Sequence, residues 1–228
     1  MQVRKRIKKL ISKVDLLYYE KLYCKQYKII VGVDEVGRGA LAGPIYAAAV
    51  VLPNLSQYSY KDLAKQLYGI FDSKQLSSEE RQYYYQKIVD VSVYYAIGRV
   101  SVDIVNQLNP HHASHQAIVE ALKKLPAFDI VLVDGSFKIK WLQDNNIEQV
   151  TIVSGDAKSL SIAAASIIAK VERDKEMIEL SKRYPQYKFD SNKGYYCRDH
   201  LRAIQQFGLT DQHRINYPIL KRLNSSNC

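Results

Sequence analysis

From residue 28 onward, short β-branched apolar runs alternate with amphipathic stretches. Ile29-Ile30-Val31-Gly32-Val33 is one such run. Lys28 precedes it and Asp34-Glu35 follow, which predicts a buried strand. A second run, Tyr46 to Leu52, follows Pro44 and stops at Pro53. A glycine-containing turn between the two runs predicts an antiparallel hairpin. Ser77-Ser78-Glu79-Glu80 has the serine-to-acid spacing of a helix start, with the helix reaching about Val89. Val91 to Val100 alternates as a third strand, and Ser114 to Lys124 reads as a helix ended by Pro126. Asp129 to Asp134 is a fourth strand and Val150 to Val153 a fifth. A long helix is predicted from about Ser159 to Arg183, opening on small residues, and another from Arg198 to Phe207. Three strands, then helices alternating with two more strands, indicate an α/β fold. The expected architecture is a mixed five-stranded sheet flanked by helices, with a small C-terminal helical lobe.

Residues 1–27 are Lys-rich, with Ile7, Leu10, Ile11, Val14 and Leu17 at helical spacing. They predict a basic helical extension, with packing against the body as its simplest role. The tail Asn224 to Cys228 is expected to fray.

Composition narrows the class. Of 228 residues, 47% are hydrophobic and 25% charged, as in ordinary globular chains, which excludes a disordered or collagen-like polymer. No apolar run approaches the roughly 18 residues needed to span a bilayer, so no membrane association is expected. The basic start is not followed by the apolar core and small-residue cleavage site of a secretory signal. Three widely spaced cysteines, Cys24, Cys197 and Cys228, make neither a disulfide framework nor a CxxC zinc site. They suit a reducing, cytoplasmic setting. Lys plus Arg number 33 against 23 Asp plus Glu, a net charge of +10. That balance fits a polyanion partner or a generically basic surface, and composition does not separate the two.

The acids do more. In open α/β sheets ligands gather beyond the carboxyl ends of the strands. Asp34 with Glu35, Asp134, and Asp156 each follow an apolar run that predicts a strand. Carboxylates beside a core are costly, and convergent ones repel one another. Mg²⁺ or Mn²⁺ relieves both costs and prefers oxygen ligands. Two such ions can activate water and stabilise a leaving oxygen in phosphodiester hydrolysis. Taken singly, each acid is also an acceptable cap or loop residue, Asp156 most of all. The Gly37-Arg38-Gly39 turn lets backbone approach a ligand, while Arg38 offers a planar donor for phosphate. Alone, it is equally a tight turn.

Gly32-Val33-Asp34-Glu35-Val36-Gly37-Arg38-Gly39-Ala40-Leu41-Ala42-Gly43-Pro44 resembles the signature of ribonuclease HII, the type 2 ribonuclease H family. Further segments match that family in order. They are Asp72-Ser73-Lys74-Gln75-Leu76-Ser77, Val133-Asp134-Gly135, Gly155-Asp156-Ala157-Lys158-Ser159 running on to Asp174, and Lys193-Gly194-Tyr195 with His200 and His213-Arg214 downstream. The resemblance covers about residues 28–217. It implies an RNase H-like fold with a catalytic domain at 28–184 and a C-terminal substrate-binding lobe at 185–228. It also implies an endonuclease that cuts the RNA strand of RNA–DNA hybrids and incises 5′ of single ribonucleotides in duplex DNA. The products would carry 3′-hydroxyl and 5′-phosphate ends, with Mn²⁺ or Mg²⁺ as cofactor.

Carried onto this sequence, the family's acidic positions are Asp34, Glu35, Asp134 and Asp156, the same four that the strand-end argument selects. Gly37, Arg38 and Gly39 would read the ribose 2′-hydroxyl, the group that separates RNA from DNA. Tyr195 would pack beneath the adjacent sugar. Lys74 would steady a phosphate or stay solvated. Asp174, well inside the long helix, reads as structural or as a support behind the acids. Tyr196-Cys197 departs from the glycine and small polar residue usual after the tyrosine, which bears on the preference for a ribose–deoxyribose junction. Pro110-His111-His112 stands where the family continues a helix; those histidines read as surface or capping residues. A monomer is expected. The alternatives are a ribonuclease HIII-type enzyme and a catalytically silent hybrid-binding protein.

Overall fold

The computed structural model describes residues 15–70 and 76–225. Five strands form one mixed sheet: β1 (Ile30–Val36), β2 (Ile45–Val51), β3 (Tyr94–Val100), β4 (Ile130–Asp134) and β5 (Glu148–Ile152). Their spatial order is β3-β2-β1-β4-β5. β4 pairs in parallel with both β1 and β5, in registers that include Val33 with Val133 and Asp134 with Ile152. The helices are α1 (Tyr18–Tyr23), α2 (Tyr60–Gln66), α3 (Ser78–Val91), α4 (Val102–Gln107), α5 (Pro110–Leu122), α6 (Lys140–Asp144), α7 (Leu160–Arg183), α8 (Phe189–Asn192), α9 (Arg198–Phe207) and α10 (Pro218–Ser225). Among the described residues, no helix is long and apolar enough to cross a membrane.

The chain divides into two compact units. One comprises Met1–Asp34, Ala49–Ala96 and Leu125–Ile168; the other comprises Glu35–Ala48, Ile97–Lys124 and Ala169–Cys228. The first unit is built around Ile30, Ile130, Leu132, Ile152 and Ile162, with Tyr19, Tyr23 and Tyr27 packed against them. Apolar faces of parallel strands thus bury against the start of α7, as their continuous β-branched runs require. The second unit buries Leu41, Met177, Leu180, Tyr187, Phe189, Ile204 and Leu220 together.

Local signals explain most boundaries. Ser77 caps α3 through a reciprocal pair in which its hydroxyl accepts from Glu80 N–H and the Glu80 carboxylate accepts from Ser77 N–H. α9 runs over the segment its periodicity indicates. Other boundaries differ from expectation, for identifiable reasons. α5 begins at Pro110, four residues before Ser114, because Asn109 caps it and Pro110 occupies the first turn, where a missing N–H costs nothing. β3 begins at Tyr94 because α3 continues through Val91. β5 begins at Glu148 because a strand needs pairing more than apolar residues. The side chain of buried Gln149 is satisfied by the N–H and C=O of Ile139, at 2.8 and 3.0 Å. β1 extends to Val36, so Asp34 and Glu35 lie within the strand rather than after it. The expected helix before residue 15 lies outside the described residues, as do the last residues of the tail.

Candidate active site

Three of the four acids belong to the first unit. Because Val33 pairs with Val133 in parallel register, Asp34 and Asp134 follow at the same level of neighbouring strands. The chain leaves β5 through Ser154, whose φ of 56° is left-handed, and enters a single 3₁₀ turn, Gly155–Ala157, that carries Asp156. The Gly155 N–H donates to Asp134 Oδ1 at 2.6 Å, tying that turn to the end of β4 and fixing the Asp134 carboxylate. Asp34 and Asp156 are buried, while Asp134 is half-buried. These are hard oxygen donors on adjacent strand ends, the donor chemistry a divalent cation of the Mg²⁺ or Mn²⁺ type requires. Among the described residues, no three His, Cys, Asp or Glu side chains are gathered as a group able to hold a metal ion. Like charges repel, and these carboxylates have no reason to close on one another unaided.

Glu35 follows Asp34 in β1 and belongs to the second unit. Its carboxylate accepts an ion pair from Arg38, Nη1 to Oε1 at 3.3 Å; Glu35 is largely covered and Arg38 largely exposed. Gly37 between them has φ +94°. A Cβ there would stand 2.3 Å from Arg173 Nε, so the position excludes a side chain twice over.

Arg173 and Arg214 are fully buried, and the sequence reading gave neither a role. Arg173 donates to the carbonyls of Pro44 (2.9 Å), Ala42 (3.1 Å) and Lys193 (2.9 Å). Arg214 donates to the carbonyls of Gly43 (2.9 and 2.7 Å), Gly37 (2.6 Å), Arg38 (3.1 Å) and Pro44 (3.2 Å), and to the Tyr217 hydroxyl (2.9 Å). Two guanidinium groups therefore hold the Gly-Arg-Gly loop and the turn that follows. Desolvation lowers both, Arg173 to about 10, which leaves it charged at neutral pH. No local signal marks either arginine: Arg173 stands in the charged run Lys170-Val171-Glu172-Arg173-Asp174-Lys175-Glu176, and Arg214 in a loop.

Tyr195 lies on the loop after Gly194, whose carbonyl accepts from Leu41 N–H and Ala42 N–H at 2.8 and 3.1 Å. The Arg173 guanidinium carbon sits 5.3 Å from the Tyr195 ring centroid, a cation–π contact that holds the half-buried ring. The Tyr195 backbone is pinned by a relay of buried histidines. His213 Nδ1 accepts from Thr210 N–H at 2.9 Å, so the ring proton is on Nε2. That proton is donated to His200 Nε2 at 3.2 Å, and His200 Nδ1–H donates to the Tyr195 carbonyl at 2.9 Å. The chain works only with both rings neutral. Burial lowers both, His213 to about 4.

The remaining candidates divide. Lys74 lies outside the described residues. Asp174 pairs with Lys170 one turn earlier. Tyr196 is 58% exposed, and the Cys197 sulfur accepts from His200 N–H at 3.4 Å, capping α9. His111 and His112 lie in the first turn of α5, where Asn109 accepts from His112 N–H.

A family model for ribonuclease HII matches residues 31–220. The ribonuclease HII of Caldicellulosiruptor bescii is 41% identical over 199 residues, spanning 87% of this chain and 90% of that protein. The ribonuclease HII of Leuconostoc mesenteroides is 37% identical over 222 residues, 97% of this chain and 81% of that protein. In fold, the chain is similar to the ribonuclease H2 of Pyrococcus horikoshii OT3, with TM-score 0.72 at 24% identity over 87% of this chain and 98% of that one. It is also similar to Bst-RNase HIII in complex with Mn²⁺, with TM-score 0.62 at 20% identity over 87% and 70% of the two chains. With curated relatives matching along most of its length, and its strand-end acids in the parallel register just described, this chain belongs to the ribonuclease HII family, the type 2 ribonuclease H endonucleases.

Proposed function

We propose that this chain hydrolyses the RNA strand of RNA–DNA hybrids and incises 5′ of single ribonucleotides in duplex DNA, leaving 3′-hydroxyl and 5′-phosphate ends. Asp34, Glu35, Asp134 and Asp156 would hold one or two Mn²⁺ or Mg²⁺ ions. The observation that carries this reading is the parallel β1–β4 register, which sets Asp34 beside Asp134, together with the Gly155 N–H that ties the Asp156 turn to Asp134. When bound, the cations supply activation of water and neutralisation of charge growing on the scissile phosphate.

The chain's own groups do the rest. Gly155 holds the Asp134 carboxylate in one rotamer. Backbone groups of Gly37 and Gly39 contact the ribose 2′-hydroxyl without reading the base. Arg38, exposed beside Glu35, donates to a phosphate. The Tyr195 ring lies beneath the neighbouring sugar, held by Arg173, while the histidine relay pins the Tyr195 backbone. Lys74 is proposed as a further phosphate contact. The outward placement of Tyr196 and the capping role of Cys197 support a sugar-binding loop that tolerates both departures. We further place the protein in the cytoplasm, acting as a monomer.

The test is cleavage of a duplex carrying one ribonucleotide, beside a long hybrid and an all-DNA duplex, in Mn²⁺ and in Mg²⁺. Wild-type protein should cut the first two only. Asp34→Ala should abolish cutting with duplex binding retained. Metal-dependent cutting by a purified Asp34→Ala protein would overturn the assignment.

A further inference from the structure

We infer that Glu20, in the N-terminal segment, is a positioning residue for the acid site: its buried carboxyl caps α7 and so fixes the turn that presents Asp156. The inference rests on the reading of Asp156 as a cation-holding acid.

A helix leaves its first N–H groups without intrahelical partners. At α7 these are met largely from far away in the chain. Leu160 N–H donates to the Leu16 carbonyl at 2.7 Å. Ser161 N–H donates to Glu20 Oε1 at 2.9 Å. The Ser159 and Ser161 hydroxyls donate to the same oxygen at 2.6 and 2.7 Å. Ser159 N–H in turn donates to the Gly155 carbonyl at 2.8 Å, inside the 3₁₀ turn that bears Asp156. One carboxyl oxygen thus collects three donors from the two serines that join the Asp156 turn to α7.

Ser161, the second of the two, touches the strand that carries Asp34. A Cβ on Gly32 would stand 2.3 Å from the Ser161 carbonyl carbon and 2.5 Å from Ser161 Oγ, so strand and helix start are in backbone contact. Gly32 lies two residues before Asp34. Glu20 therefore holds both Ser159, which bonds the Asp156 turn, and Ser161, which meets β1. Glu20 itself is buried, and its Oε2 has no hydrogen-bond partner among the described residues. Burial raises the carboxyl's proton affinity against the bonds donated by Ser159 and Ser161. Such burial is a poor choice for surface packing and a good one for a rigid cap.

The experiment measures Mn²⁺ binding to the full chain by electron paramagnetic resonance of the free ion, without substrate, alongside melting temperature and cleavage. Removing a group that orients metal-holding side chains should weaken metal affinity about 10-fold or more. Glu20→Ala should show that loss, with kcat reduced at saturating duplex and KM for duplex little changed. Glu20→Gln, which keeps the accepting oxygen, should restore wild-type Mn²⁺ binding. A role in folding alone would lower the melting temperature and the active fraction yet leave Mn²⁺ affinity of the folded protein intact. Should Glu20→Ala fail to fold, Ser161→Ala removes one of the three donors to the Glu20 oxygen, the Ser161 hydroxyl, and should shift affinity in the same direction. Wild-type Mn²⁺ affinity in whichever variant folds, or equal losses in Glu20→Ala and Glu20→Gln, would overturn the inference. Unchanged Mn²⁺ affinity in Asp156→Ala would instead overturn the acid-site reading on which it rests.

Discussion

Gly37 and Gly39 flank Arg38 in the same short loop, yet the structure assigns them opposite tolerance to a methyl group. At Gly37 the backbone has φ +94°, and a Cβ would lie 2.3 Å from Arg173 Nε and 2.8 Å from Arg173 Cδ. A left-handed conformation costs a non-glycine residue about 1–2 kcal/mol. Arg173 cannot step aside cheaply, because three carbonyls hold its guanidinium. Losing even one hydrogen bond from a charged donor costs about 1.5–3 kcal/mol. Gly37→Ala should therefore destabilise by about 3–5 kcal/mol, or about 6–20 °C in melting temperature for a chain of this length. At Gly39 nothing lies within 4 Å of an added Cβ. Gly39→Ala should stay within about 0.5 kcal/mol of wild type. Urea and thermal unfolding of both variants give the comparison. A double-mutant cycle isolates the cause: in an Arg173→Ala background, Gly37→Ala should cost only the backbone part, about 1–2 kcal/mol. Equal effects at the two glycines, or strict additivity with Arg173→Ala, would refute the steric reasoning.

The histidine relay makes stability depend on pH. His200 and His213 take up protons less readily folded than unfolded, where the ordinary value is about 6.5, so their contribution is complete above that pH and is lost as pH falls toward the His213 value of about 4. Melting temperature should drop between pH 6.5 and 4.5, and His213→Asn should flatten that slope; a flat wild-type profile would contradict the relay. Tyr195 acts through its ring, so Tyr195→Phe should cleave nearly as wild type, while Tyr195→Ala should lose about 10-fold or more, given ~1–3 kcal/mol per stacked aromatic contact. Arg38→Ala should weaken duplex binding and reduce the slope of log affinity against log salt by about 1, as removal of one phosphate contact requires; an unchanged slope would place Arg38 away from phosphate.

The acids were legible before the structure because their context is anomalous. A buried run that leads straight into Asp34-Glu35 or Asp134 violates the usual cost of charge beside a core, and the violation marks a site. The order of strands, and the long helix after Asp156, were legible from periodicity. What the sequence hides is partnership at a distance. Nothing near Glu20 indicates that its carboxyl meets Ser159 and Ser161, 139 and 141 residues onward. Nothing near Arg214 indicates carbonyls 170 to 177 residues earlier. The start of α5 differs from the Ser114 that periodicity indicates for a local reason: Pro110 occupies the first turn, and Asn109 caps it. Short helices such as α4 and α6 carry too few turns for a periodic signal.

The buried arginines explain how a weak motif becomes a specific surface. A glycine-arginine-glycine turn has no fixed shape of its own, since both glycines are permissive. Here the Gly37 and Arg38 carbonyls are drawn onto the Arg214 guanidinium. In a planar trans peptide the C=O and the next N–H point in opposite directions. Pulling those two carbonyls inward therefore turns the N–H groups of Arg38 and Gly39 away from Arg214. Successive N–H groups facing one way form a cavity for an electronegative atom, and the cationic group behind each peptide strengthens its dipole. Arg173 and Arg214 direct their guanidinium donors to carbonyls and, for Arg214, to the Tyr217 hydroxyl. The surface proposed to meet the sugar–phosphate chain is thus shaped from beneath, by two cations fixed on carbonyls. That is why Arg38 alone, of the three arginines at this loop, is free to be exposed.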